Sequence, residues 1–435
     1  MSVATSSLPV GPAGEERDFI QSATGRFVSQ RRVRGMGVFL LLLAVVMALP
    51  FGLNVPSGVS AIFTLTTPPS VTVPNLVQPV RAVSIGLAIA CALVGVVLIA
   101  RKSTRGSYLV FSFGTVLFLW SFLVWVGRGT SLNFVSLLAE TVIYSPPIIY
   151  GSLSGVLCER SGVINIAIEG QFLAGAFLAS LVASATGDVW FGALCGAAAG
   201  ALFGWILAFL TLRYGADQII VGILIDAFAL GLTNFLLQEI FTNHPNLNSP
   251  PVFQNVAIPL LSKIPILGPV LFDQSAIVYG AAVLLVGIHL ALFRTRWGLR
   301  VRAVGEHPKA ASTVGIHVVS VRYGNVIFGG LVAGIGGAAF TVGSYGQFTS
   351  NMAAGLGFVA LAAMIFGRWR PFGGLGAALL FGFSISLVSF IGVLGVDIPS
   401  PLLAMAPYLI TIAVVAGLVG RVRPPGADGV PYERE

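Results

Sequence analysis

Residues 36–53 read MGVFLLLLAVVMALPFGL, eighteen positions without a charge. A helix rises about 1.5 Å per residue, so such a run nearly matches the roughly 30 Å hydrocarbon core of a bilayer. Residues 82–100, AVSIGLAIACALVGVVLIA, repeat the pattern. Barrel strands would alternate and be far shorter, so these runs predict helices. Composition extends the reading to the whole chain of 435 residues: 56% are hydrophobic and 9% charged, with a mean hydropathy of +0.93. Soluble domains carry roughly 25% charged residues. Lipid must therefore be the solvent, and the backbone must satisfy itself internally. The expected fold is an all-α, polytopic inner-membrane protein.

A net charge of +8 could suggest nucleic acid, but the cations fall between apolar runs, as in cytoplasmic membrane loops. Further segments are expected at 107–127, 132–156, 163–185, 189–212, 217–242, 275–293, 323–343, 352–367, 373–394 and 402–420. That makes about twelve transmembrane helices with both termini cytoplasmic. Arg213, the 294–309 stretch, Arg368, Arg370, Arg421 and Arg423 then fall inside, while the outer loops hold Arg128 and Lys263. Residues 1–34 read as a cytoplasmic disordered tail with a basic end against lipid headgroups. The first apolar run should act as an uncleaved anchor. Cys91, Cys158 and Cys195 show no disulfide or metal spacing.

Two segments depart from regular spans. Residues 151–170, GSLSGVLCERSGVINIAIEG, break an apolar run with charges and glycines. Residues 343–357, GSYGQFTSNMAAGLG, precede an apolar stretch too short to span comfortably. Unwound backbone at membrane depth is tolerated only beside protein or a cavity, so both breaks are expected near a solute path. Intramembrane polar groups are costly and become path candidates: Asn165, Glu169, Asp226 and Asn234, with Gln347, Phe348 and Asn351 from the second break. Each of the first four could equally be a buried structural hydrogen bonder.

Gly192, Gly196, Gly200 and Gly204 recur every fourth residue and leave one helix face bare for close packing. The stretch 294–316, RTRWGLRVRAVGEHPKAASTVGI, places Pro308 and Gly315 as start and stop signals of a short helix at 308–314. A loop that only fixed topology would need no capped helix, so this one reads as a docking element.

Catalytic readings find little support. Lys102–Ser103 follows Arg101 where a P-loop needs Gly, and no Walker A motif occurs. His244, His289, His307 and His317 are scattered, which predicts no metal site. No catalytic residue is assigned.

Three ordered stretches, ERSGVINIAIEGQFLAGAF (159–177), RWGLRVRAVGEHPKAASTVGI (296–316) and GLGFVALAAMIFGRWRPFGG (355–374), resemble the permease family of bacterial ABC importers for branched-chain amino acids, simple sugars and nucleosides. The first of them, with YGADQIIVGILIDAFALGLTNFL (214–236), is most similar to the nucleoside branch. The resemblance covers roughly 135–420. It implies a permease domain at 131–422, a three-helix N-terminal extension at 35–130 with no function assigned, and a cytoplasmic tail at 423–435. It also implies a nucleoside path, with ribose or another simple sugar as the alternative solute. Glu306, His307, Pro308, Lys309, Ala310, Ala311 and Gly315 would then engage an ABC ATPase subunit. A second homologous permease and a substrate-binding protein or lipoprotein would complete the assembly in the lipid membrane. ATP would be hydrolysed by partner subunits and no cofactor held here. The rivals are an ion-coupled secondary transporter, using Glu169 and Asp226 as carriers, a channel, and a membrane-embedded enzyme.

Overall fold

The computed structural model describes residues 30–67, 71–101, 106–393, 405 and 423–432. Among them, ten helices are long and apolar enough to cross a membrane. The chain divides into two compact units, one of residues 30–63 with 77–132, the other of 64–76 with everything described from 133 onward.

The first unit holds α1 (Gln30–Ala48, continued by a π-helical turn, Leu49–Leu53), α2 (Val80–Ala100) and α3 (Ser107–Val126). Small residues set its packing. A Cβ on Gly37 would lie 2.6 Å from the Gly95 carbonyl oxygen, and one on Gly114 would lie 2.6 Å from Leu40. Phe51 stacks on Trp125 at 4.8 Å between ring centres. Leu42, Val45, Leu93 and Val96 are exposed, as lipid-facing positions require. Short strands β1 (Ser60–Thr64), β2 (Leu76–Pro79) and β3 (Ser131–Asn133) form a sheet in the order β2-β1-β3.

The second unit contains α4 (Phe134–Glu159), α5 (Ile168–Thr186), α6 (Val189–Ala208, extended by a π-helical turn to Arg213), α7 (Gln218–Leu236, extended likewise to Phe241) and α8 (Ala276–Arg294). Then follow α9 (Arg296–Glu306), α10 (Pro308–Thr313), α11 (Val318–Phe340, extended to Tyr345), α12 (Leu356–Phe366) and α13 (Pro371–Val393). Polar residues mark the starts. Asn133 accepts from the Ser136 N–H, Asp188 from Trp190 and Phe191, Asp217 from Ile219 and Ile220, and Thr295 from Gly298. Each satisfies backbone donors that a helix cannot satisfy itself.

Burial separates an inner trio from an outer ring. The apolar windows of α4, α5 and α11 are 83%, 72% and 72% buried, against 33% for α7 and 28% for α8. Ile219, Ile220, Ile223, Leu224 and Phe228 of α7 are exposed accordingly. The glycine face of α6 meets α5 and α11. A Cβ on Gly196 would lie 2.7 Å from the Gly175 carbonyl oxygen, and one on Gly204 2.7 Å from that of Val326. One on Gly192 would lie 2.6 Å from the Ala183 Cβ, and one on Gly200 would collide with the Gly330 carbonyl. With no intervening side chains, the backbones touch.

Ten of the expected segments are long helices whose ends shift by a few residues. The segment expected at 352–367 is α12, eleven residues and so only about 16 Å long, roughly half a crossing. The segment expected at 402–420 lies, except for Met405, outside the described residues, as does most of 1–34.

Candidate functional site

Both breaks in the helices are built around carboxylates that hold helix N-termini. α4 ends at Glu159, the chain turns through Arg160–Ser161–Gly162 with Gly162 at φ +88°, and α5 begins only at Ile168. The Ile164 N–H donates to Gln218 Oε1 at 2.7 Å. Asn165 is fully buried, and its Nδ2 donates to Ser154 Oγ and Gln171 Oε1, both at 3.1 Å. The first turn of α5 is met by Asp226, whose Oδ1 accepts from the Gly170 N–H at 2.7 Å. Asp226 lies eight residues beyond the Gln218 start of α7, about 12 Å along that helix, so α5 starts well inside the bundle.

Glu169 does the same for the second break. Its Oε1 accepts from the Gly355 N–H at 2.7 Å and its Oε2 from the Gly357 N–H at 2.6 Å, which holds the N-terminus of α12. The partial positive charge of a helix start favours a carboxylate there. Gly357 is a required glycine, since a Cβ would lie 2.5 Å from the Glu169 nitrogen. Asp226 and Glu169 thus link α7 to α5 and α5 to α12.

The second break is more open. Gln347 and Asn351 are exposed, and Asn351 adopts φ +51°. Phe348 is buried against Phe177 and Phe241. Its N–H donates to Asn248 Oδ1 at 2.7 Å, and Asn248 Nδ2 donates to its carbonyl at 2.9 Å. Asn234 Oδ1 accepts from the Ser350 hydroxyl at 2.8 Å. Beside this break, Tyr144, Pro147, Phe340, Ser344, Tyr345 and Leu356 line a cleft of about 40 Å³, room for about one water molecule.

At the basic end of the unit the three motif stretches converge. Trp369 Nε1 donates to Glu159 Oε2 at 2.5 Å, and Arg160 Nε donates to the Trp369 carbonyl at 3.0 Å. A Cβ at Gly305 would collide with the Arg160 carbonyl, so the end of α9 rests on the 160–162 turn. Glu306 lies 4.0 Å from Arg160. Burial lowers the pKa of the Arg160 guanidinium, partly countered by Glu306.

His307 precedes α10, Pro308 takes its first turn, and Gly315 follows at φ +84°. Ala311 is buried against Val304 and Val318, while Lys309 and Ala310 are exposed and Val314 is 75% exposed. One side of α10 is anchored and the other faces outward. Among the described residues no three His, Cys, Asp or Glu side chains gather as a metal would need.

Sequence reasoning missed Asn248, Gln218, Arg322 and Asp428. Arg322, completely buried in α11, carried a signal because it sits at the edge of an apolar run. The other three lie in polar stretches where nothing distinguishes them from loop residues.

Comparison with known proteins gives this geometry a context. The family model described as "Branched-chain amino acid transport system / permease component" matches residues 137–421. The Guanosine ABC transporter permease protein NupQ of Bacillus subtilis is 41% identical over 304 residues, 67% of this chain and 94% of its own. The Nucleoside ABC transporter permease protein NupC of Lactococcus lactis is 40% identical over 306 residues, 68% of this chain and 96% of its own. The Glucose ABC transporter permease protein TsgB13 of Haloferax volcanii is 30% identical over 245 residues, 53% of this chain and 63% of its own. No solved structure matches. With ten long apolar helices among its described residues and its meeting of the three motif stretches, the chain is a multi-pass membrane protein of the branched-chain amino acid transport system permease family.

Proposed function

We propose that this chain is the membrane-spanning permease subunit of a nucleoside importer of the ATP-binding-cassette type, seated in the bacterial inner membrane. The observation that carries this is the identity of about two-fifths to two nucleoside permeases across nearly their whole length. The chain supplies the path and the lever. Partner ATPase subunits hydrolyse ATP, a second permease completes the path, and an extracytoplasmic binding protein or lipoprotein delivers the solute. No cofactor is held by this chain.

In this reading α10 is the coupling helix. Lys309, Ala310 and Val314 form its outward face and would meet the ATPase, with Glu306, His307, Pro308, Ala311 and Gly315 setting its position. Closure of the ATPases would push α10, and the push would reach the 160–162 turn through α9. Gln347 and Asn351, exposed on the second break, are suited to hydrogen-bond an uncharged polar solute, and Phe348 anchors that break. Asn165, Glu169, Asp226 and Asn234 border the path as its frame.

The ion-coupled alternative loses support at Glu169, which accepts a backbone N–H on each of its two oxygens, so a cycle of protonation there would release the start of α12 at each turnover. A sugar as solute remains the second reading, favoured by the similarity to the glucose permease.

Labelled guanosine or uridine uptake, with and without the gene, tests the proposal. Gene-dependent uptake that collapses on ATP depletion is expected. Uptake of ribose but not nucleoside, with all subunits expressed, would assign the path to a sugar.

A further inference from the structure

The segment 423–432, RPPGADGVPY, is folded onto the basic end of the second unit. It meets α9 through two hydrogen bonds: the Ala427 N–H donates to the Gly305 carbonyl at 2.8 Å, and the Gly426 N–H to Glu306 Oε2 at 3.1 Å. It meets the 160–164 stretch closely. A Cβ on Gly162 would lie 3.0 Å from the Ala427 carbonyl oxygen, and one on Gly429 2.7 Å from Ile164. It meets α4 where the Asp428 carboxyl comes near enough to that of Glu159 for each to act on the other's ionisation. It meets α11 where Arg322 Nη1 donates to the Val430 carbonyl at 2.9 Å. It reaches α10 through Tyr432, packed on the patch of Val304, Ala311 and Val318.

Arg322 explains why these contacts are more than a resting tail. A buried guanidinium is tolerated only if it is paired and hydrogen-bonded. Arg322 is completely buried, its Nε and Nη2 have no hydrogen-bond partner among the described residues, and its bond to Val430 and its counter-charge Asp428 both come from this segment. A buried cation in a core helix thus depends on ten residues at the far end of the chain. Proline and glycine give those residues a fixed, non-helical course: Gly429 sits at φ +73°, and the Asp428 N–H closes on the Pro425 carbonyl at 3.1 Å.

We propose that 423–432 is a transmission strap, tying α10 to the 160–164 turn and to α11 so that a push on α10 moves the helices bordering the path, with Arg322, Asp428 and Tyr432 as positioning residues. It rests on the reading of α10 as the ATPase-docking helix. Without the strap, α10 would still present Lys309, Ala310 and Val314, but its motion would be absorbed in the joint between α9 and α11.

The test uses the complete transporter in proteoliposomes. It measures ATPase co-purification, ATP hydrolysis stimulated by solute-loaded binding protein, and uptake per ATP hydrolysed. A chain stopped after residue 422 is expected to keep its ATPases but lose about tenfold in uptake per ATP, within the usual range of coupling between sites. Tyr432→Ala and Asp428→Ala should lose part of it, and Tyr432→Phe should restore it. These point variants decide the matter if the shortened chain fails to reach the membrane. Uptake per ATP at the full-length level in Tyr432→Ala and Asp428→Ala would overturn the strap. Ala310→Arg is run alongside. If it leaves the ATPases bound, the docking reading falls, and the strap as a transmission element falls with it, by a readout separate from that of the strap variants.

Discussion

The two breaks in the helices look alike in sequence, each a glycine-rich interruption of an apolar run, but they differ in what surrounds them. Between α4 and α5 the polar groups face one another: Asn165 holds Ser154 and Gln171, and the first turn of α5 is held by Asp226. Between α11 and α12 the backbone is held at its ends by Asn248 and Glu169, while Gln347 and Asn351 are left exposed. Buried polar groups bonded to one another rigidify the backbone they hold, whereas exposed amides remain free to meet a solute. The first break is a frame and the second is the surface that frame supports.

Removing the link between them should have the largest effect. Glu169→Ala leaves the buried Gly357 N–H unanswered, at a cost of about 1–3 kcal/mol, and the part-buried Gly355 N–H with it. Thermal unfolding in detergent should shift strongly downward and uptake should be lost; unchanged melting would erase the distinction between the breaks. Gly357→Ala comes next, because its Cβ must push Glu169 away. Overpacking of this kind costs about 1–3 kcal/mol, visible as a lower melting temperature with weaker uptake. Gln347→Ala and Asn351→Gly should instead leave melting within about 0.5 kcal/mol and raise the KM for uptake. Glycine is the right probe at Asn351 because the backbone there is left-handed. If both variants transport with an unaltered KM, the second break does not touch the solute.

The smallest effect belongs to the basic end. Burial raises the Asp428 carboxyl from its ordinary 3.8 to about 6, against the pull of the neighbouring Glu159 carboxyl and the Arg322 charge. With Glu159, Arg322 and Tyr432 as its charged and titratable neighbours, the docked segment binds more protons than a released one between those two values. Its contribution is therefore full below about 4 and lost as pH rises through about 6. Hydrogen exchange at 426–430 should be slower, relative to the intrinsic rate, at pH 5 than at pH 8. Asp428→Asn should flatten that difference.

The helices themselves were legible because lipid imposes a length and a composition, and runs such as 36–53 and 82–100 meet both. The half-length of α12 could be read too, from an apolar stretch too short to span. The meeting of the motif stretches was not legible. That Trp369 bonds Glu159 across more than two hundred residues depends on tertiary packing, and neither residue has a local periodicity that names its partner. Glu169 stands out in the sequence as a costly intramembrane acid, but cost alone does not separate a path residue from a helix cap. Asn248 and Asp428 sit in polar stretches where one more polar side chain carries no signal.

The glycine face of α6 has a mechanical consequence. Where Gly196, Gly200 and Gly204 rest on the backbones of α5 and α11, no side chain stands between the helices to swing aside and take up slack. Close-packed interiors resist small shear because there is no empty space to move into. The three helices therefore behave as a single plank. Whatever opens the path must tilt that plank whole, and the bending has to occur at its edges, where the chain leaves the helical lattice.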